Sequence, residues 1–528
     1  MGESYDIVTI GSGHNGLVAA AYLAKAGKKV LVLERQPWFG GGVVTRELTV
    51  PGFHHDQHSM AHIFIQANPL IKNDELGLLS KYGLKYIYPE TPMISVFPDG
   101  ETLSLFRDRE KNHREIARFS KLDAESYLRL SELSATYLPS LIATLYSPPA
   151  PLGAMYAMMD QSREGRRLFA IMQKSAYDII DEWFEHERVR LHFLRMISEN
   201  LHSPEEKGTG VGLFMFLSFL EQYGIGVAEG GSGKLSQALI DCILDHGGEV
   251  LANVDVDKVL VKDGRAVGVH AQDGREFPAR DAVIGAIHPH LLGRFIEGLD
   301  ADVTRDAEST HISEVACFTV HAALNEPLQF TAGEHVGKAV MIELLPEGGI
   351  DALRRHFDDL RYGKLPGPRL IGLGSLSNID PTRVPPGKAI MHAWDYVLYD
   401  HPDGGAGHWD QCKREHADGM LEKMRAYIDN LTPENIIAYH CDSPLDMERT
   451  SPSFRRGDLH GIASYLYQFG SHRPTPDLGQ NTVPGVDRMY LVGPFQHPGG
   501  GVFGAGRATA MRVCDDLKIN FDKIGERP

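Results

Sequence analysis

The sequence predicts an α/β protein in which a discontinuous Rossmann-like domain is joined to a second domain that combines a mixed sheet with helices. Three segments carry this prediction, and each combines apolar strand residues with a glycine-rich turn and a helix. They lie near the N-terminus (5–35), in the middle (230–287) and near the C-terminus (489–517). The 528-residue chain is too long for one compact core, so more than one folding unit is expected.

The N-terminal segment, YDIVTIGSGHNGLVAAAYLAKAGKKVLVLER, predicts a strand, a glycine turn, a helix and a second strand. Gly11 permits the tight turn, Gly13 lets a pyrophosphate approach the backbone, and Gly16 lets the helix pack closely on the strand. The phosphates then meet the positive end of the helix dipole. Glu34 closes the second strand, where its carboxylate can accept two ribose hydroxyls and would repel a 2′-phosphate. This segment predicts a dinucleotide site that disfavours NADP and leaves NAD and FAD open.

A second glycine turn after Glu34 separates these two cofactors. The stretch ERQPWFGGGVVT places Gly40, Gly41 and Gly42 where a NAD domain would usually continue to its third strand. Such a turn lets the backbone run along the pyrophosphate and ribityl chain of a longer cofactor. We therefore predict FAD, with Arg35 among its contacts.

The C-terminal segment, MYLVGPFQHPGGGVFGAGRATAMRVCDDL, repeats the pattern of apolar strand, glycine-dense loop and helix. Gly493, Gly500 and Gly501 lie in the loop, and the helix is predicted to start near Gly504. A helix N-terminus beside a flavin ring can stabilise negative charge on the reduced cofactor.

The middle segment predicts a helix, the short strand EVLANV, a three-stranded meander and a last buried strand, DAVIGAI. The Asp263-Gly264 and Asp273-Gly274 pairs predict the two hairpin turns of the meander. Val254 lies where its backbone can bind the adenine.

These segments define the predicted domains. The FAD-binding domain is expected to comprise 1–70, 225–300 and 480–528, and the substrate-binding domain 71–224 and 301–479. Residues 116–222 have a mostly helical pattern. The stretches KAVMIELLP, RLIGLGSLS and KAIMHAWDYV predict strands of a second sheet.

Composition excludes several other classes of protein. A net charge of −17 without a run of basic residues makes nucleic acid an unexpected partner. The five cysteines are widely spaced, which predicts neither disulfides nor a zinc site, and a cytoplasmic location is expected. The stretches 133–159 and 208–220 carry no charged side chain. They predict buried helices or a pocket lining, with peripheral membrane contact as the alternative.

Together the motifs resemble the phytoene dehydrogenase-related flavoproteins of the flavin amine oxidase superfamily. The resemblance rests on the glycine turns, PGFHHD, GGSGKLSQAL and YLVGPFQHPGGGVFGAGRATA. It implies FAD held without a covalent bond by the residues already named, together with Val502. Two motifs differ: Gly42, Val43 and Val44 replace a GGR-type turn, and GAIHPH replaces an SNADP-like turn of carotenoid desaturases. The second difference argues against a carotenoid substrate.

Histidines are the candidate acid–base residues, because the imidazole pKa lies nearest neutrality. FHHDQHSMAH places four of them after the flavin turn, of which His58 is the candidate for proton handling. His497 precedes the terminal glycines, and His460 and Tyr467 follow in RRGDLHGIASYLYQF, with Tyr465 as a further candidate. The alternatives for the first cluster (His54, His55, His58, His62) are structural histidines and a metal site; no metal is predicted.

Three functions follow from these features. The first is FAD-dependent desaturation of a C–C bond in a hydrophobic or alicyclic small molecule, with hydride transfer to flavin N5. The second is amine oxidation with oxygen, and the third is a flavin-bound scaffold without turnover. Oxygen or a quinone is the expected electron acceptor. The sequence predicts no oligomeric state.

Overall fold

A computed structural model describes residues 4–367 and 369–525. The strands are β1 (Tyr5–Ile10), β2 (Val30–Leu33), β3 (Thr45–Arg46), β4 (His55–Asp56), β5 (Tyr86–Ile87), β6 (Met93–Val96), β7 (Thr102–Leu105), β8 (Val227–Ala228), β9 (Glu249–Leu251), β10 (Val256–Lys262), β11 (Arg265–Ala271), β12 (Glu276–Gly285), β13 (Ala316–Leu324), β14 (Met341–Leu344), β15 (Ile371–Gly374), β16 (Ala389–Val397), β17 (Ile436–Asp442), β18 (Thr482–Val483) and β19 (Val486–Leu491).

The helices are α1 (His14–Lys25), α2 (Pro69–Lys72), α3 (Arg109–Ala117), α4 (Lys121–Leu145), α5 (Leu152–Asp160), α6 (Arg163–Gln173), α7 (Ala176–Trp183), α8 (Glu187–Ser198), α9 (Gly210–Gln222), α10 (Gly233–Asp245), α11 (Leu292–Phe295), α12 (Ala301–Glu308), α13 (Gly349–Arg361), α14 (Trp409–Met424), α15 (Pro444–Thr450), α16 (Gly506–Asp516) and α17 (Asp522–Gly525).

The first sheet has the order β10-β11-β19-β12-β1-β2-β9, with β18 paired to β19. Five adjacent strands, β9, β2, β1, β12 and β19, run parallel. The buried strand β2 (VLVL) consists only of branched apolar residues, as is typical of a strand covered on both faces. Helices α1, α10 and α16 pack together beside this sheet. The predicted Rossmann-like α/β fold is confirmed.

One long strand replaces two predicted ones at the end of the middle segment. EFPA and DAVIGAI form the single strand β12, whose first part pairs antiparallel with β11 and whose second part pairs parallel with β1 and β19. No turn-forming residue lies between the two stretches, so the chain continues straight from the meander into the central sheet. Both predicted hairpin turns are present, and Asp263 and Gly264 each have a positive φ.

The second sheet has the order β17-β13-β16-β15-β14-β6-β7 and is mixed. The three predicted strands of this sheet are present as β14, β15 and β16. The sequence analysis did not identify β6, β7, β13 or β17. Strands β6 and β7 come from the first long insertion and the other five from the second, so both insertions build one sheet. The two-domain division stays a prediction, and the separate origins of the two sheets support it.

Alternate residues of β13 and β16 face opposite sides of the second sheet. Phe318, Val320 and Ala322 join an apolar core with helix α14, including Trp409. Cys317 and Thr319 face the other way, into the cavity described below. The second sheet therefore forms one wall of this cavity.

The first insertion forms a helical layer of α3 to α9, as the sequence predicts. The uncharged stretch 133–159 is divided between the end of α4 and α5, and 208–220 lies mostly in α9. Most of α9 is buried, whereas α5 has no buried residue. In the described part of the chain, no helix has the length and apolar character needed to cross a membrane.

Candidate active site

The first glycine turn follows β1 and opens towards a cavity. Gly11 has a φ of +87°, and its N–H donates to the carbonyl of Leu33 at the end of β2 (2.8 Å). A Cβ on Gly16 would lie 2.8 Å from the Gly11 carbonyl oxygen, so α1 can start this close to β1 only with glycine there. A Cβ on Gly13 would meet no protein atom within 4 Å. The space beside Gly13 is therefore available to a ligand, as the phosphate-binding prediction requires.

Glu34 lies at the end of β2 and lines the same cavity. Its Oε2 accepts hydrogen bonds from the Ser12 N–H (2.9 Å) and hydroxyl (2.7 Å), and its Oε1 accepts from the Gln36 N–H (2.9 Å). These donors hold the carboxylate in one orientation at the point where a ribose is expected. Val254 donates its N–H to the Glu34 carbonyl (2.8 Å), and Arg35 also lines the cavity.

The second glycine turn packs directly against the first. The Gly40 N–H donates to the Ser12 carbonyl (3.1 Å), and a Cβ on Gly41 would lie 2.9 Å from the Gly13 Cα. Gly41 and Gly42 line the cavity, whereas Gly40 lies behind them. Two backbone segments thus approach each other so closely that no side chain fits between them.

The C-terminal glycine loop reaches the cavity from the other side. Gly493, Gly500, Gly501 and Val502 all line it. The Val502 carbonyl accepts from the Ile65 N–H (3.0 Å), which ties this loop to the segment after the histidine cluster. Helix α16 begins at Gly506, two residues later than predicted, and packs on α1.

The resulting cavity has a volume of about 390 Å³ and extends from Glu34 to the second sheet. At one end it is polar and glycine-rich, and at the other it is lined mainly by Phe64, Phe216, Met341, Trp394 and Tyr396. All three glycine-dense segments contribute to its lining. The space beside Gly13, the oriented Glu34 carboxylate and the N-terminus of α1 fit an elongated dinucleotide. The apolar end leaves room for a second molecule.

One buried polar group lies at the apolar end. Glu199, whose side chain is 16% exposed, accepts hydrogen bonds from the Tyr396 hydroxyl (2.7 Å) and the Trp394 indole N–H (3.3 Å) and pairs with Arg195. Arg195 Nη2 also lies 2.6 Å from Glu343. Burial raises the pKa of Glu343 well above its usual range, against the opposing effect of Arg195. Arg195 therefore lies between the two carboxyl groups and supplies the positive charge that pairs with Glu199.

Three histidines form a row across the second sheet. His392 on β16 and His440 on β17 are both in register with His321 on β13 between them. The His321 and His392 rings stack with centroids 4.2 Å apart, and His440 Nε2 lies 2.9 Å from Asp442 Oδ1. His392 lines the cavity, whereas His440 and Asp442 line a separate cleft near Arg46. The row therefore extends from the cavity to that cleft.

The imidazoles at the cavity are held neutral. Burial lowers the pKa of His58 to about 4 and that of His392 to about 4. Among the described residues, neither ring nitrogen of these two side chains has a hydrogen-bonding partner. Both can therefore accept a proton from a bound molecule.

The structure brings two of the four predicted catalytic residues to the cavity. His58 and His460 line it, and burial lowers the pKa of His460 while Asp458 opposes this shift. His497 is buried outside the lining, with Nε2 2.9 Å from the Thr144 carbonyl. Tyr467 is 58% exposed and bonds His311.

The other histidines of the cluster hold local structure. His55 Nε2 lies 2.8 Å from the Thr49 hydroxyl, and His62 Nδ1 lies 2.8 Å from the Tyr86 hydroxyl. The cluster brings no three ligand atoms close enough for a metal ion among the described residues; the one group that does so lies elsewhere, at residues 401–412. Tyr465 lines a smaller pocket beside Phe357.

Sequence reasoning missed the residues at the apolar end of the cavity. His392, Trp394 and Tyr396 occupy alternate positions of MHAWDYV, so one face of β16 carries all three. The sequence signal that could have identified them was this alternation of large polar or aromatic residues in a predicted strand. Glu199, at the end of α8, has no comparable sequence signal.

Comparison with known proteins gives one family. The sequence profile of the family described as "Flavin containing amine oxidoreductase" matches residues 16–514. The chain is 29% identical to one of the subunits of limonene dehydrogenase from Castellaniella defragrans, over 98% of this chain and 95% of that protein. It is 25% identical to the lycopene-forming phytoene desaturase of Pseudescherichia vulneris, over 97% and 99% of the two chains.

A solved structure of an oxidoreductase from Methanosarcina mazei has the same fold. The TM-score is 0.63 at 17% sequence identity, and the alignment covers 97% of this chain and 99% of the other. The likeness therefore spans almost the whole length of both chains.

Proposed function

Because the chain belongs to the flavin-containing amine oxidoreductase family and is therefore an FAD-dependent oxidoreductase, we propose that it desaturates a C–C bond of a neutral hydrophobic or alicyclic small molecule. The observation that carries this proposal is the charge balance at the apolar end of the cavity. Glu199 is the carboxylate there, and Arg195 compensates it. Phe64, Phe216 and Met341 offer the rest of the surface to an apolar molecule.

The named relatives point to the same class of substrate. One is named as part of a limonene dehydrogenase and the other as a phytoene desaturase, and both names refer to neutral hydrocarbons. The present cavity is lined mainly by apolar side chains where such a molecule would lie. Glu199, which the Tyr396 hydroxyl orients, adds an acceptor that can bind a hydroxyl group.

We propose that FAD is held by the two N-terminal glycine turns, Glu34, Arg35, Val254 and the C-terminal loop at Gly493 and 500–502. When bound, FAD supplies the acceptor for the hydride. We also propose that no covalent bond is formed. Among the described cysteines, Cys317 alone lines the cavity, and burial raises the pKa of its thiol, which keeps it protonated.

The protein's own part is orientation, exclusion of water and proton handling. The apolar end holds the substrate against the glycine loops. His58, His392 and His460 line the cavity as neutral imidazoles whose ring nitrogens can take the proton that leaves the substrate, although burial lowers the pKa of each and makes it a weaker base than an exposed histidine. We assign this role to His58 and His460 from the sequence and add His392 from the structure.

Anaerobic reduction of the bound flavin tests this function. The purified holoprotein is mixed with a monoterpene, a carotenoid precursor, a cyclic ketone and a cyclic amine, and the flavin absorbance is followed. The proposal is supported if a neutral compound bleaches the flavin absorbance and its desaturated product is detected. Bleaching by the amine alone, with peroxide released in air, would establish the amine oxidase instead. A flavin that none of these compounds reduces would support the scaffold and overturn desaturation of these classes.

The cavity variant Tyr396→Phe sharpens the same experiment. It removes the hydroxyl that donates to Glu199 without changing the apolar surface. We expect flavin reduction by a hydrocarbon to persist and reduction by an alcohol, whose hydroxyl would donate to Glu199, to slow. Tyr362→Phe, at an exposed position remote from the lining, is the matched control.

We further propose that the protein contacts an anionic lipid surface through α5. None of its residues is buried, and Met158 is 64% exposed. The adjoining helix α6 exposes Arg163, Arg166 and Arg167. An apolar helix beside exposed cations is typical of helices that lie in a membrane interface. Such contact would give a hydrophobic substrate a route from the bilayer.

Co-sedimentation with vesicles tests the lipid contact. We expect binding to vesicles of phosphatidylcholine with phosphatidylglycerol and weaker binding to phosphatidylcholine alone. Met158→Glu should lower the bound fraction, whereas Leu122→Glu, which changes another exposed apolar residue at the start of α4, should not. Equal sedimentation of the two variants, or none of the wild type, would overturn this proposal.

A further inference from the structure

A metal-ligating group lies outside the cavity, where β16 connects to α14. The loop HPDGGAGHWDQC carries His401, His408 and Cys412, and their ligand atoms all lie within 4.8 Å of one another. None of the three lines the cavity. The sequence spacing alone predicted no zinc site, because the loop rather than a short motif brings the residues together.

The fold fixes each of the three side chains in a different way. His408 directly precedes α14 and Cys412 follows four positions later, so both lie on one face of the first helical turn. His401 packs edge-on against the Trp409 ring, with centroids 4.9 Å apart. The Trp409 indole N–H in turn donates to the Tyr399 carbonyl (3.0 Å), which ties the start of α14 to the chain after β16.

The glycines of the loop make room for this arrangement. The N–H groups of Gly404 and Gly405 donate to the His401 carbonyl (3.2 and 2.8 Å), and Gly405 has a φ of +68°. A Cβ on Gly404 would lie 3.2 Å from the His408 Cβ, so a side chain there would press on the imidazole. The loop therefore folds back on itself and brings His401 over His408, with ring centroids 4.6 Å apart.

The chemistry of the group is that of a zinc ligand set. Two imidazoles and a thiolate favour Zn²⁺ over Mg²⁺ or Ca²⁺. The Asp403 N–H donates to His401 Nδ1 (3.2 Å), and an ion bound at this nitrogen would take the place of that donor. The Asp403 carboxylate lies 3.7 Å from the same nitrogen.

We propose that His401, His408 and Cys412 form a structural Zn²⁺ site, with Asp403 as the fourth ligand. Ligand atoms of a tetrahedral zinc site lie about 3.3–3.6 Å apart, so side-chain movements of about 1 Å close the present group around an ion. Binding converts the Cys412 thiol to a thiolate and releases its proton to solvent. The ion would fix the 401–412 loop to α14, whatever reaction the cavity performs.

Protection from alkylation gives a direct test. Cys412 is the one partly exposed cysteine, and the other four are buried. Iodoacetamide should therefore modify Cys412 first in the folded, tag-free, metal-stripped chain, as located by peptide mass spectrometry. One equivalent of Zn²⁺ should slow this modification at least about tenfold, and Mg²⁺ should not. Unchanged alkylation with Zn²⁺ would overturn the site.

Calorimetric titration with Zn²⁺ gives the stoichiometry and a readout independent of the flavin. We expect one tight site in the wild type, and at least about 100-fold weaker binding in Cys412→Ser and His408→Asn. His113→Asn, on the remote helix α3, is the matched control and should bind as the wild type does. Equal affinity of wild type and Cys412→Ser would place any bound zinc elsewhere and overturn the proposal. Circular dichroism verifies that each variant is folded.

Discussion

Gly16 sits directly over the carbonyl of Gly11, close enough that a methyl group at position 16 would lie 2.8 Å from the Gly11 oxygen. Gly13, between them, has no protein atom within 4 Å of its Cβ position and a φ of −57° that any residue adopts. The glycines of this motif are therefore needed for two different reasons. Gly16 serves the packing of α1 on β1, whereas Gly13 leaves space for a ligand.

This difference predicts opposite behaviour for two alanine variants. Gly13→Ala should leave the stability of the apoprotein within about 0.5 kcal/mol of wild type but weaken FAD binding at least about tenfold, because its methyl group meets only the cofactor. Gly16→Ala should destabilise the apoprotein by about 1–3 kcal/mol, because the methyl group meets backbone. Urea unfolding and flavin fluorescence titration measure the two effects. A Gly13→Ala apoprotein that unfolds early would contradict the assignment.

Glu34 provides a second prediction for the nucleotide end. Glu34→Gln removes the charge that orients ribose hydroxyls, and loss of one charge-assisted hydrogen bond of about 1.5–3 kcal/mol corresponds to about 10–100-fold weaker FAD binding. Titration of the apoprotein with FAD measures it. Glu249→Gln on the neighbouring strand β9, whose carboxylate bonds Tyr5, should bind FAD as the wild type does. If both variants bind equally, Glu34 does not contact the ribose.

The nucleotide end of the site could be predicted from the sequence because its requirements are local. Glycine at positions 11, 13 and 16, with an acid at the end of the next strand, specifies a turn, a helix start and a ribose contact within about 30 residues of chain. In the structure Glu34 ends β2 beside the first glycine turn, where its carboxylate accepts the N–H of Ser12, and its contact with a ribose stays a prediction. The two hairpin turns of the meander could be predicted as well, because each depends on one Asp-Gly pair in the sequence.

The apolar end could not be predicted in the same way, because its residues meet only through tertiary structure. Glu199 and Tyr396 are 197 positions apart and touch where α8 packs against β16. The strands β6 and β7 were not predicted from the sequence, and their place at the edge of the second sheet depends on the pairing of β6 with β14, far along the chain. Likewise, His392, His321 and His440 form a row only after three strands align.

The buried group around Arg195 predicts a large cost for removing its positive charge. Arg195→Met leaves the Glu199 carboxylate without its counter-charge beside Glu343, and breaking one partner of a buried pair costs about 3–5 kcal/mol. Arg188→Met on the same helix removes ion pairs to Asp99 and Glu101 at the surface and should cost less than about 1 kcal/mol. Urea unfolding at neutral pH measures both. Equal losses of unfolding free energy in the two variants would show that Arg195 does not stabilise the buried carboxyl groups.

The neutral imidazole of His392 predicts a pH dependence of stability. Burial lowers the pKa of His392 from 6.5 to about 4, with His58 acting in the same direction and Asp56 and Asp442 opposing it. Between these values the unfolded chain binds a proton that the folded protein does not. This group's contribution is therefore fully present above about pH 6.5 and is lost as the pH falls towards 4, by about 1.4 kcal/mol per pH unit.

His392→Gln removes that contribution while keeping a polar side chain of similar size. The free energy of unfolding of the wild-type apoprotein, measured in urea, should fall more steeply below about pH 6.5 than that of the variant. The difference in slope should be about 1.4 kcal/mol per pH unit, which corresponds to one bound proton. Between about pH 7 and 8 the two slopes should coincide, because His392 is then neutral in both the folded and unfolded states; this range is the internal control. Parallel curves down to about pH 5 would mean that the folded protein and the unfolded chain bind this proton equally, so that burial does not lower the pKa of His392.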